Sequence, residues 1–174
     1  ELFISSPSET VTTRLDFPGA TTIASEGTME TFSAIIGLPP DGVWENRGTL
    51  AVNNSFDRSG LLSIEGNFTQ TADATFQPRM STDLLDDTAP VSAARLETSG
   101  TATLAGTIDI SENFLFSANL SVGQRFIILQ AGSIQGTFDS FVQTDESDLF
   151  NPQFEIQYSA DKVELVVTRE GESF

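Results

Sequence analysis

The stretch LETSGTATLAGTIDI, residues 96–110, alternates apolar and polar positions almost without exception. Leu96, Ala102, Leu104, Ile108 and Ile110 share one parity; Glu97, Ser99, Thr101, Thr103, Thr107 and Asp109 share the other. A period of two is the signature of a half-buried strand, because successive side chains point to opposite faces. Gly100 and Gly106 interrupt the pattern, and glycine inside a strand marks a bulge, a bend or the close approach of another backbone. The stretch therefore predicts a wall that turns corners while one face stays inside.

The same pattern spreads outward along the chain. Residues 60–78, GLLSIEGNFTQTADATFQP, place Leu62, Ile64, Phe68, Ala72, Ala74 and Phe76 on the inward parity. One straight strand of that length would exceed the usual 5–6 residues or so, so several short strands joined by tight corners are expected. RFIILQA, residues 125–131, is the one continuous apolar run and reads as a strand covered on both faces or lying just before a sharp corner. Residues 154–169 read as a hairpin turning at Ser159–Lys162. Residues 26–38, EGTMETFSAIIGL, hold at most a helical turn or two. The prolines and glycines of residues 37–48 place a soft boundary, with an irregular N-terminal β segment or arm over 1–40 and a regular unit over 41–174. The predicted fold class is all-β: a parallel β-solenoid with a C-terminal hairpin cap, with a β-sandwich or jelly roll as the alternative.

Composition removes several function classes. The 174 residues include 25 acidic and 8 basic side chains, a net charge of −17. Nucleic acid is not an expected partner, because phosphate binding needs a basic footprint. No apolar run approaches the roughly 20 residues of a membrane span, so no membrane insertion is expected. There is no Cys and no His. Disulfides, thiolate sites, the commonest general base and the commonest transition-metal ligand are thereby excluded. The chain starts at Glu1 without Met and is expected to be a mature or excised piece of a longer precursor.

Four units, in order, carry a resemblance: GLLSIEGNFTQTADATFQ, ARLETSGTATLAGTIDI, GQRFIILQAGSIQGTFDSF and FEIQYSADKVELVV. Together they look like the C-terminal strand units of autotransporter-type passenger domains and related bacterial surface β-helix proteins. The resemblance covers residues 47–168 and leaves 1–40 poorly matched. It implies a right-handed parallel β-helix, secreted or held at the cell surface, with no catalytic motif to carry over.

The remaining candidate chemistry is sparse. A Ser or Thr nucleophile has only Lys162 or a carboxylate as a base. Glu65, Asp73, Glu97 and Asp109 lie on outward parities, where paired carboxylates cleave glycosides in other solenoids; solvated strand faces are the plainer reading. Trp44 and Tyr158 are the only Trp and Tyr for stacking sugars. Sequons occur at Asn53, Asn67 and Asn119. Two acidic clusters, Asp83, Asp86 and Asp87, and Asp145, Glu146 and Asp148, are candidate Ca²⁺ ligands, since Ca²⁺ takes carboxylate and carbonyl oxygens. No other cofactor is expected. The expected function is a non-enzymatic extracellular structural or adhesive module of a surface or filament-forming protein. Its expected partners are other copies of itself, neighbouring repeats or an extracellular polysaccharide. The alternative is a carbohydrate-binding or polysaccharide-cleaving β domain. Ca²⁺ bound at the acidic clusters would release calorimetric heat and raise the melting temperature; a titration with neither effect removes both sites.

Overall fold

The computed structural model describes residues 2–4, 13–18, 22–53, 60–81, 91–111, 120–143 and 152–170. Among them are eighteen strands and no helix. In chain order they are β1 (Leu2–Ile4), β2 (Thr13–Asp16), β3 (Thr22–Ser25), β4 (Thr28–Thr31), β5 (Ser33–Gly37), β6 (Val43–Asn46), β7 (Thr49–Val52), β8 (Leu61–Glu65) and β9 (Asn67–Gln70). They continue as β10 (Thr75–Pro78), β11 (Met80–Ser81), β12 (Ser92–Ala93), β13 (Arg95–Leu104), β14 (Thr107–Asp109), β15 (Arg125–Gly136), β16 (Ser140–Val142), β17 (Gln153–Tyr158) and β18 (Lys162–Arg169).

Hydrogen bonding joins strands distant in sequence. One six-stranded sheet runs β1-β4-β7-β10-β14-β16, every pair parallel. A second runs β2-β5-β8-β13-β15 in parallel and then closes with β18 and β17, both antiparallel to their neighbours. A third parallel row, β3-β6-β9, joins the second sheet through the far half of β13. The ladders β4–β7, β5–β8 and β3–β6 all cross from the segment before residue 40 to the segment after it.

The register stacks like on like. In the first sheet Met29 lies beside Leu50, Leu50 beside Phe76, Phe76 beside Ile108, and Ile108 beside Phe141. In the second, Ala34, Leu62, Leu96, Leu129 and Val163 form a column, and all are essentially buried. Trp44, Phe68 and Ala102 form a third. These columns meet in one continuous core. Burying a Leu or Phe side chain contributes about 1.5–3 kcal/mol, which makes the columns the main source of stability.

The inward row Leu96, Ala102, Leu104, Ile108 and Ile110 is buried as the alternation predicts. Gly100 lies where β13 bulges, so that Ser99 and Gly100 oppose Gly132 alone. That bulge lets one strand pair with β8 in its first half and β9 in its second. Gly106 forms the next corner at φ +69°. RFIILQA is flanked by β13 and β18, and a bulge between Ile127 and Leu129 buries Ile128 and Leu129 side by side.

Two expectations are corrected. Residues 26–38 form β4 and β5, not a helical turn, because Met29 and Thr31 and then Ala34 and Ile36 are buried at period two within each strand, the inward parity shifting by one at the Phe32 corner. Ala72 is exposed in the turn Thr71–Ala74, where Ala74 N donates to Thr71 O at 3.1 Å.

The corners differ in length. Gly66 alone joins β8 to β9, and Arg47 and Gly48 join β6 to β7. After the first sheet the connection varies: Phe32 alone leads from β4 to β5, but residues 53–60, 110–124 and 143–152 lead from β7, β14 and β16 to the next strand of the second sheet.

A Cβ on Gly106 would lie 2.5 Å from the carbonyl oxygens of Ala74 and Thr71, at a φ that L side chains resist. Gly123 has φ +89° but open space around its Cβ position. Gly123→Ala should cost about 1–2 kcal/mol from backbone strain. Gly106→Ala should cost clearly more, read as a lower urea midpoint.

Candidate functional site

Three places gather polar chemistry: the third corner, the outer carboxylates and a groove beside the start of β13.

At the Gly66 corner, where the second sheet turns into the β3-β6-β9 row, backbone and side chain interlock. Gly100 N donates to Gly66 O at 2.7 Å, and Thr98 Oγ1 donates to the same oxygen at 2.6 Å. Asn67 Oδ1 accepts from Thr101 N at 2.8 Å while its Nδ2 donates to Gly42 O at 3.4 Å. The amide of the Asn67 sequon is thus held on both sides by the fold. Inside the wall, Asn46 and Gln70 stack in register and are almost fully buried. Asn46 Nδ2 donates to Thr75 O at 3.1 Å, and Gln70 Nε2 donates to Ala105 O at 3.0 Å and Thr107 O at 2.9 Å. These buried amides are thereby satisfied by carbonyls at the turn into the first sheet.

The outer carboxylates do not converge. Glu65 and Glu97 lie on the second sheet, Asp109 on the first, and Asp73 in the exposed turn before β10. Arg14 grips Glu65 with both terminal nitrogens, at 2.7 and 2.6 Å, and donates Nε to Asp16 at 2.8 Å. The register runs Asp16, Gly37, Glu65, and a Cβ on Gly37 would overlap the Asp16 carboxylate. The missing side chain lets Arg14 span β5. Its hydrogen bonds hold the Glu65 carboxyl below the ordinary range. Partial burial pushes Asp109 up, but the hydroxyl and N–H of Ser111, the Gln77 amide and the nearby Arg79 outweigh it and hold Asp109 low as well. A general acid at neutral pH needs the opposite displacement.

The other candidates are accounted for by packing. Lys162 Nζ lies 3.2 Å from Glu164. Trp44 is in the core column, and Tyr158, at the partly exposed end of the cap strand β17, accepts through Oη from Phe138 N at 3.1 Å, partial burial pushing its phenol pKa up. Asp83, Asp86, Asp87, Asp145, Glu146, Asp148 and the sequon Asn119 lie outside the described residues. Among the described residues no cluster of three or more Asp or Glu is placed to hold a metal ion.

Sequence reasoning missed one regular feature. Thr28, Thr49, Thr75, Thr107 and Ser140 stand in register along the first sheet, each opening its strand. The signal was the dipeptide Gly-Thr at 27–28, 48–49 and 106–107, a corner glycine followed by a β-branched strand residue.

The groove, about 480 Å³, lies on the outer face of the second sheet. Gly60, Leu61, Ala93 and Ile127 line it together with Arg95 and Arg125. Arg95 Nη2 meets Glu97 at 2.8 Å and Arg125 Nη1 meets Glu164 at 3.3 Å. Both guanidiniums are close to half exposed.

Compared with protein-family models and with curated proteins, the chain matches none.

A carboxyl with a depressed folded pKa stabilises the fold above its unfolded value, and that contribution fades as pH falls through the folded value. Asp109→Asn should therefore lower the melting temperature at pH 7 by roughly 2–4 °C, equivalent to about 1 kcal/mol in a domain of this size. The gap between variant and parent should close as pH drops below about 4, the ordinary Asp value. A gap independent of pH from 7 to 2 would assign Asp109 a role other than charge.

Proposed function

We propose that this chain is a non-enzymatic, extracellular structural or adhesive module, built as a right-handed parallel β-solenoid with a C-terminal hairpin cap. The observation that carries the reading is the in-register column Met29, Leu50, Phe76, Ile108, Phe141, repeated across parallel strands whose neighbours come from successive passes of the chain. Sandwiches are built from antiparallel sheets, whereas stacked passes give parallel ladders. A parallel crossover within one sheet is right-handed in about 98% of cases, which supports the handedness. The antiparallel β18 and β17 cover an end that would otherwise expose a strand edge.

The non-enzymatic reading rests on residue supply and placement. His and Cys are missing from the sequence, Lys162 sits against Glu164, and the outward carboxylates are dispersed over different sheets. The extracellular setting and a partnership with further copies or neighbouring repeats rest on the resemblance to bacterial surface proteins and on the repeated architecture. Binding of an extracellular polysaccharide is favoured by the groove between Arg95 and Arg125.

Small-angle scattering tests the architecture. An elongated particle with a cross-section near that of three short strands is expected. A compact, isotropic particle of the same mass would overturn the solenoid. Incubation with acidic polysaccharides should release no reducing ends, and measurable release would overturn the non-enzymatic reading.

A further inference from the structure

We infer that the groove beside the start of β13 binds a uronate-type polysaccharide, with the carboxylates on Arg95 and Arg125 and the sugar's C–H face on Leu61 and Ile127. The inference rests on the proposed adhesive role and gives it a ligand chemistry.

The groove arises from a register offset. β13 starts at Arg95, and its ladder with β15 starts only at Leu96↔Leu129. Residues Arg125–Ile127 of β15 run past that start, paired on their other side to β18. The sheet surface therefore opens beside Ala93 and Leu61, and leaves apolar side chains where the neighbouring outer face is polar. The groove is open to solvent and has a volume of about 480 Å³.

Its rim carries two arginines, each paired to one carboxylate, in a strongly anionic molecule. Arg14 makes three hydrogen bonds to two carboxylates across β5. Arg47 faces Glu45 at 2.7 Å and Glu26 at 3.7 Å. Arg95 and Arg125 each meet a single carboxylate through a single terminal nitrogen. A guanidinium carries five donors in a fixed fork, so each retains geometry suited to a second, incoming carboxylate. The ligand is anionic on that ground.

A saccharide fits better than a peptide. Extended peptides dock on sheets by adding a strand to a free edge. At the groove the edge of β15 left uncovered by β13 spans only the residues before Leu129, and β12 packs beside it, so an added strand finds little length to pair with. A uronate chain needs only the two guanidinium forks and an apolar floor.

Glu97 and Glu164 compete with the ligand for the same donors, and this gives the test its distinguishing arm. Calorimetry on the whole 174-residue chain would use a uronate hexamer, a neutral glucan hexamer and hexaglutamate. The uronate hexamer is expected to bind in preference to both. Arg95→Gln and Arg125→Gln should each weaken it about tenfold or more, the scale of a lost charge-assisted hydrogen bond. Glu97→Gln should strengthen it about two- to fivefold by freeing Arg95; a merely structural role for the pair predicts no gain. Melting curves confirm that each variant is folded. Equal binding of the neutral hexamer, indifference to the Arg variants, or no uronate binding overturns the site. Preference for hexaglutamate overturns the saccharide in favour of a peptide. An elongated particle that binds no uronate leaves the module reading standing and removes only the groove.

Discussion

Everything in this molecule follows from one constraint: neighbouring strands lie about 4.8 Å apart, so each corner must fit against the corner one strand away. The corners meet this by omitting side chains. A Cβ on Gly48 would overlap the backbone of Gly27, and one on Gly106 would press on Ala74 and Thr71. Thr49 N donates to Gly27 O at 2.7 Å, Thr75 N to Gly48 O at 2.8 Å and Thr107 N to Ala74 O at 2.9 Å. With the corners in contact, the strands that leave them begin in register. The Thr row and the apolar columns are consequences of that shared starting line.

Much of this was legible in the residues. Alternation through 96–110 fixes which side chains are inside, because parity survives the corner at Gly106 even when strand direction changes. RFIILQA reads as a strand covered on both faces or just before a sharp corner, yet Arg125 and Gln130 are exposed, and its unbroken run comes from the bulge that buries Ile128 and Leu129 side by side. The failures have a common origin. Gln70 shares the inward parity, but its partners at Ala105 and Thr107 belong to the next pass, and no local pattern points to them. Arg14 and Glu65 meet over Gly37 for the same reason. In place of the helical turn expected at 26–38 stand two short strands, where the pairings of Met29 with Leu50 and of Ala34 with Leu62 show the period to be two. The candidate site was less legible than the fold. Arg95 and Arg125 become neighbours only through the offset between β13 and β15, which single-strand periodicity does not contain.

Charge is distributed to suit this design. The inward columns exclude it, and the buried polar side chains Asn46 and Gln70 are neutral amides whose hydrogens reach carbonyls. The outer faces carry the acids, with arginines set among them: Arg14 and Arg125 reach across strands, while Arg47 and Arg95 pair along their own stretch of chain. Solvent screens such exposed pairs, so the apolar columns carry the stability.

The unequal corners divide the chain's tolerance of change. One residue added at Gly66 would reverse the parity of β9 and carry its apolar side chains outward. The corner that follows the first sheet varies in length, from Phe32 alone between β4 and β5 to residues 110–124 between β14 and β15. A change of length there lies outside the paired strands, so the chain can absorb it on one edge, whereas the tight corners on the other edges cannot.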